Sequence, residues 1–203
     1  MSCTLDRKLI DQVIDFHGHN YPGLSIGIRA SELALNTLDR QKGDCLTAVV
    51  ETDMCAVDAI QYLTGCTFGK GNLIHRDLGK VAFSFYDPEN QQAVRIMINP
   101  SASGPDRDKM RRLMKKSKSE ELSGDDKKTM AQLRQREIKR IMEEDPDKLF
   151  ELVRILCRPP RPARVMDSHE CSNCREMTME TRIRLYDGQK YCIPCFDQLE
   201  QKT

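Results

Sequence analysis

Apolar residues Leu5, Leu9, Ile10, Val13 and Ile14 recur at three- and four-residue intervals. That period predicts an amphipathic helix, with Thr4 as its N-cap and an end near Phe16. A second helix is expected to start at Pro22, a residue suited to a first helical turn. It carries Leu24, Ile28, Leu35 and Leu38 on one side, beside a stripe of small residues formed by Gly23, Gly27, Ala30 and Ala34. Each helical glycine costs about 1 kcal/mol against alanine. The compensation expected here is close approach by the backbone of another element.

The run CLTAVVET (45–52) reads as a buried strand. Thr52 or Asp53 then caps a short helix over Ala56, Val57, Ile60 and Leu63, closed by Gly65. TGCTFGKGN (64–72) reads as loop. KVAFSFY (80–86) and AVRIMI (93–98), joined by the turn DPEN (87–90), read as a hairpin. Residues 101–157 form a charged helical arm of two or three helices. Ser123 with Asp126 gives one cap signal, and Asp145-Pro146 opens a last helix over Leu149, Leu152, Val153 and Leu156. RPPRPAR (158–164) reads as a stiff linker. The pattern predicts an α+β fold, with a mixed or antiparallel central sheet flanked by helices. Its organisation is a core with its arm over 1–157, a linker over 158–166 and a small C-terminal module over 167–203.

Composition narrows the partners. With 32 basic and 31 acidic residues the net charge is +1, which gives no global pull toward nucleic acid or anionic lipid. Aromatics are only 5%, and there is no tryptophan to build a base-stacking platform. No apolar run approaches the roughly 18 residues of a membrane span. The N-terminal segment reads as helix and not as a signal peptide, so a cytoplasmic protein is expected. Arg111, Arg112, Lys115, Lys116 and Lys118 cluster in the arm. Two readings stand, a solvated face and a nucleic-acid arm, and the interspersed acids favour the first. Met110, Leu113 and Met114 offer a dimer contact.

Nine cysteines in a reducing compartment point to metal and thiol chemistry more than to disulfides. Cys171-x-x-Cys174 and Cys192-x-x-Cys195 are two pairs whose spacing lets four thiolates surround one Zn²⁺. A hairpin with Asp187-Gly188 at its turn lies between the pairs, and a helix follows. That layout is a treble-clef-like finger, too small to fold on an apolar core alone, so structural zinc is the expected cofactor. His169 is an outside candidate to replace one thiolate. A pair of redox Cys-x-x-Cys motifs is the alternative, and it lacks the βαβ context that such motifs need.

A second constellation lies in the core. His17 and His19 flank Gly18 between the first two predicted helices, where a glycine lets both rings converge. Cys55 falls at the start of the third helix, where the positive helix end favours thiolate. Two imidazoles and a thiolate suit Zn, Ni or Fe with an open fourth position. Asp53 and Asp58 are placed to orient the imidazoles. Cys66 and Lys70 are expected near the same cleft, and His17, His19, Cys55 and Lys70 are the candidates for any catalytic role. A polar cluster with His17 capping the first helix is the competing reading. The Gly69-Lys70-Gly71 loop offers N–H groups and an ammonium to an anion, or is a plain tight turn.

The blocks HGHNYPGLSIGIRASELAL, ETDMCAVDAIQYLTGCTFGKGNL and GKVAFSFY together resemble the FmdE family, named for one component of formylmethanofuran dehydrogenase. The resemblance spans residues 1 to about 155. It implies an α+β core, a homodimer and a metal-binding cleft at the HGH and ETDxC blocks. It also implies an association with a molybdenum or tungsten oxidoreductase that reduces CO2 to a formyl group. Many members read HGHxCPG, so Tyr21 here stands in place of a frequent cysteine. A second copy of the chain and a protein partner are expected, with nucleic acid less favoured. The alternative, from another class, is a regulator or adaptor. There the finger and the basic arm contact nucleic acid or a protein, and the core senses a metal or small ligand.

Overall fold

The computed structural model describes residues 2–160 and 164–199. The chain divides into two compact units, Met1–Pro162 and Ala163–Thr203. The linker expected over 158–166 lies partly outside the described residues, as does the end of the C-terminal helix.

The larger unit opens with α1 (Arg7–His17) and α2 (Pro22–Leu38), followed by β1 (Thr47–Val50) and α3 (Ala56–Thr64). Strands β2 (Leu73–His75), β3 (Ala82–Asp87) and β4 (Gln92–Ile98) come next. Helices α4 (Arg107–Ser119), α5 (Gly124–Glu143) and α6 (Pro146–Leu149) lead into β5 (Phe150–Arg154). The five strands form one mixed sheet in the order β2-β1-β3-β4-β5. Only β1 and β2 run parallel. Register places Val50 opposite Phe83, Phe83 opposite Ile96 and Ile96 opposite Leu152. Alternation puts these side chains on one sheet face. There they join Ala30, Ala34 and Leu38 of α2 and Ala56 and Ile60 of α3 in the main core.

The small-residue stripe of α2 serves the approach expected of it. A Cβ on Gly27 would stand 2.6 Å from Ala56 Cα and 2.8 Å from Ala56 C, so α3 crosses α2 with its backbone in contact. At the end of α3, Gly65 adopts a left-handed φ of 73° and its N–H bonds Gln61 O.

Several local expectations are corrected. Helix α1 is capped by Asp6, which accepts from Lys8 N, and not by Thr4. Thr4 Oγ1 instead donates to Glu32 of α2 at 2.7 Å. Glu32 also pairs with Arg29, which donates to Glu144 O at 2.8 Å, so this buried cluster ties the first segment to the end of α5. Helix α3 is preceded by Cys55 at the cap position, with no side-chain capping bond from Thr52 or Asp53. The last helix expected over 149–156 stops at Leu149, and Phe150–Arg154 pairs with β4 along its full length. The physical reason is the exposed hydrogen-bonding edge of β4: a strand satisfies it, and Phe150 and Leu152 alternate into the core while Val153 points away. Nor is the arm a solvated element throughout. Helix α5 buries Met130, Leu133, Ile138 and Ile141, whereas α4 buries nothing. The Ser123 cap holds, accepting from Asp126 N.

The smaller unit pairs β6 (Ser168–Glu170) with β7 (Met177–Met179), then passes a 3₁₀ turn at Glu180–Arg182. Hairpin β8 (Ile183–Tyr186)–β9 (Gln189–Cys192) and helix α7 (Ile193–Leu199) complete it. Asp187 and Gly188 both have positive φ, 48° and 73°, as a tight two-residue hairpin turn requires. Its buried cluster is Cys171, Cys192 and Cys195, with only Tyr191 packed against it among the described residues. Such a unit has no apolar core to fold on without a cross-link between the sulfurs.

Candidate metal centres

The core site is assembled by three helix ends. Apolar periodicity carries α1 to His17, one residue beyond the expected end, and Gly18 then takes a left-handed φ of 86° with its N–H on Ile14 O. A residue bearing a Cβ enters that conformation only with strain. The turn swings His19 back beside His17, and the two ring centroids lie 4.2 Å apart. Cys55 arrives at the N-terminal end of α3, as the chain leaves β1. Gly23 on α2 leaves room for it: a Cβ there would lie 3.5 Å from Cys55 Cβ and 3.8 Å from its Sγ. One ligand atom from each of His17, His19 and Cys55 lies within 4.8 Å of the others.

The hydrogen bonds around His17 decide how it presents itself. Nδ1 meets Asp58 Oδ2 at 2.6 Å, and Asp58 Oδ1 accepts from Gln61 at 3.3 Å. The carboxylate keeps the ring proton on Nδ1 and leaves a lone pair on Nε2. Nε2 is buried with no hydrogen-bond partner among the described residues. A buried polar atom of this kind is costly unless something binds it. A carboxylate behind one ring nitrogen and a bare second nitrogen, close to another imidazole and a thiol, is the donor set of a metal site. The residues therefore fit a metal ion. The helix-cap reading of His17 fails, because its ring bonds Asp58 across to α3 and Gly18 provides the helix end.

The site opens on a cleft of about 410 Å³ lined by His17, Cys55, Asp53, Met54, Phe68 and His75, among others. Asp58 orients His17 as expected, while Asp53 lines the cleft wall. Cys66 and Lys70 are not part of it. Cys66 is fully buried, its thiol donates to Leu46 O at 3.3 Å, and burial pushes its pKa up. Lys70 Nζ donates to Gly65 O at 3.0 Å, so it closes the C-terminal end of α3. Cys55 is at the opposite end, about 13 Å away along a nine-residue helix. The glycine-rich loop around Lys70 suggested an anion site, and helix-end capping is what its ammonium does.

Sequence patterns do not single out His75 or Phe68, which reach the cleft from β2 and the preceding loop. Tyr21 also has a definite role. Its ring meets His19 edge-on at 4.5 Å, and its hydroxyl accepts from Arg134 of α5 at 3.1 Å. Arg134 also lies 4.6 Å over the Tyr21 ring. Tyr21 is thus a wall that holds the His19 ring.

In the smaller unit, Cys171, Cys174, Cys192 and Cys195 bring their sulfurs within 4.8 Å of one another. Cys174 and Cys192 Sγ are 3.8 Å apart. That matches the edge of a tetrahedron with Zn–S bonds of about 2.3 Å. The Cys192 N–H and other backbone donors hold Cys171 down at about 6. Although it faces the Glu176 N–H, Cys174 is pushed up to about 12 by burial and by the neighbouring thiols. Four sulfurs so close do not all ionise without a cation among them. His169 is no ligand here: its Nδ1 faces Lys190 Nζ at 3.1 Å.

Residues 16–151 match the family model described as FmdE, molybdenum formylmethanofuran dehydrogenase operon. The chain belongs to the FmdE family. Residues 167–201 match the prokaryotic dksA/traR C4-type zinc finger, so the cysteine quartet is a structural zinc finger. The crystal structure of an FmdE-like protein of tungsten formylmethanofuran dehydrogenase type, from Syntrophus aciditrophicus, superposes with a TM-score of 0.65 at 25% identity, over 99% of both chains. A probable S-adenosyl-L-methionine-binding protein of Archaeoglobus fulgidus is 28% identical over 93% of this chain. The chain spans about half, 52%, of that relative's length. No helix among the described residues is long and apolar enough to cross a membrane.

Proposed function

We propose that this FmdE-family chain is a metalloprotein whose core cleft holds one transition-metal ion, Zn, Ni or Fe, through His17 Nε2, His19 and Cys55 Sγ. The observation that carries the reading is the His17 ring: Asp58 fixes its proton on Nδ1, and the buried Nε2 has no partner among the described residues except the space shared with His19 and Cys55. A bound ion would act as a Lewis acid on a carbonyl or activate water. The chain's own residues supply the rest. Asp58 keeps the imidazole oriented, Tyr21 walls off His19, and Met54 and Phe68 make the approach to the site apolar. With three protein donors, the cleft side remains for a small ligand.

The family description and the Syntrophus relative support a role beside a molybdenum or tungsten formylmethanofuran dehydrogenase, as a component or an accessory protein in the cytoplasm. The same resemblance supports a homodimer, which sedimentation of the full chain would reveal. A second reading, a regulator or adaptor with the core as a metal sensor, draws on the dksA/traR-type finger. Metal analysis of the full chain tests the core site, with the finger as internal standard. Two ions per chain, falling to one in His17→Ala, support it. One ion per chain in both proteins removes it.

A further inference from the structure

Helix α4 is unlike its neighbours. Its 13 residues, RDKMRRLMKKSKS, carry seven basic side chains against one acid, and none of them is buried. At 100° per residue, Arg107, Arg111, Lys115 and Lys118 fall within about 80° of the helix circumference and along about 16 Å of its length. All four are exposed, and none has an ion-pair partner among the described residues. The nearby acids are engaged elsewhere: Asp106 with Arg136, Asp126 with Lys116, and Glu121 with Lys127. Asp108 is the single carboxylate at the edge of the row. The interspersed acids that make this segment look neutral in sequence are therefore withdrawn from its outer face in three dimensions.

The apolar side of the helix lies beside this row and faces the core unit. Met110 and Met114 line a groove of about 430 Å³ together with Ile26, Ile98, Ile141 and Leu149, and Arg107 and Arg111 stand along it. A membrane-surface helix needs its apolar stripe free to enter lipid, and here that stripe is turned to the protein. The helix has no aromatic residue on which a base could stack. What remains is a straight row of cations suited to phosphates at regular intervals.

We propose that α4 docks on the phosphate backbone of a nucleic-acid duplex through Arg107, Arg111, Lys115 and Lys118, without reading base sequence. The interaction is independent of the core metal centre. Four neutralised phosphates give a log–log salt slope of about −3.6, equivalent to about a 150-fold loss of affinity between 50 and 200 mM salt.

The test is fluorescence anisotropy of the full-length, zinc-loaded chain with a labelled mixed-sequence DNA duplex over a salt series. The expected result is weak binding with a slope near −3.6, the same for a second unrelated sequence, and a slope near −1.8 for the double variant Arg111→Gln/Lys115→Gln. Both positions are exposed, and an unchanged circular dichroism spectrum shows that the variant is folded. The finger variant Arg182→Gln/Arg184→Gln removes the same charge elsewhere and is expected to keep the parent slope. Three outcomes overturn the proposal. The first is no duplex binding at the lowest salt, which makes the row a solvated face. The second is loss of binding in the finger variant and not in the α4 variant. The third is retention on phosphatidylserine vesicles or polyglutamate with no binding to duplex.

Discussion

Replacing Gly27 by alanine probes the contact that sets Cys55 against the two histidines. The added Cβ would sit 2.6 Å from Ala56 Cα and 2.8 Å from Ala56 C, where an ordinary carbon contact is about 3.5–4.0 Å. The obstructing atoms are backbone, so no rotamer change relieves the clash, and α3 must move away by roughly 1 Å. Overpacking of this kind costs about 1–3 kcal/mol, and rigid backbone on both sides puts it at the upper end. The alanine returns about 1 kcal/mol through helix propensity. The net expectation is a loss of about 2 kcal/mol, or a fall in Tm of about 4–8 °C for a unit of this size. Ala56 directly follows Cys55, so the same displacement pulls the sulfur away from His17 and His19 and weakens metal binding in the core. Thermal melts and metal titration of parent and variant make the measurement. Gly124→Ala is the control, because a Cβ there meets nothing within 4 Å. A Gly27→Ala protein as stable as its parent, or more stable, would refute the close α2–α3 approach.

Other expectations follow from individual contacts. Asp58→Asn removes the carboxylate behind His17 Nδ1 and is expected to weaken core metal binding about 10–100-fold while the finger keeps its zinc, as read by competition with a chromophoric chelator. The Arg40 guanidinium holds the buried Asp87 carboxyl below the usual carboxylate range, and Arg95 does the same for Glu51. Their folded pKa values lie below the unfolded ones, so this stability is complete above about pH 4–5 and is lost as pH falls through the folded values. Tm should therefore fall steeply in acid, and Asp87→Asn should flatten that limb; a limb unchanged in the variant would count against the pair. Removing zinc with a strong chelator should melt the hairpin β8–β9 and α7 while leaving the five-stranded sheet intact, which amide exchange resolves by segment.

The features legible in the sequence are those whose cause is local. Pro22 marks the start of α2, Gly65 the end of α3, and alternation the β3–β4 hairpin. The cysteine quartet is legible because its spacing alone satisfies one ion. Leu149, Leu152, Val153 and Leu156 fit helical spacing as well as they fit a strand, and only β4, more than 50 positions earlier, decides between them. The three-residue β2 carries too short a pattern to distinguish itself from the glycine-rich loop before it, so nothing in the sequence marks His75. In the core site, turns and helix ends make His17, His19, Cys55 and Asp58 readable. The Arg134 bond to Tyr21, between residues 113 positions apart, exists only through the packing of α5 on α2. Lys70 shows the reverse failure, a suggestive loop whose cation satisfies a helix end.

The most direct test is an anomalous-scattering map of crystals of the full chain, collected at the absorption edge of the metal that copurifies with it. The account predicts two peaks per chain, one amid the four finger sulfurs and one within bonding distance of His17 Nε2, His19 and Cys55 Sγ. A peak in the finger alone, with the three core side chains placed as they are here, would contradict it.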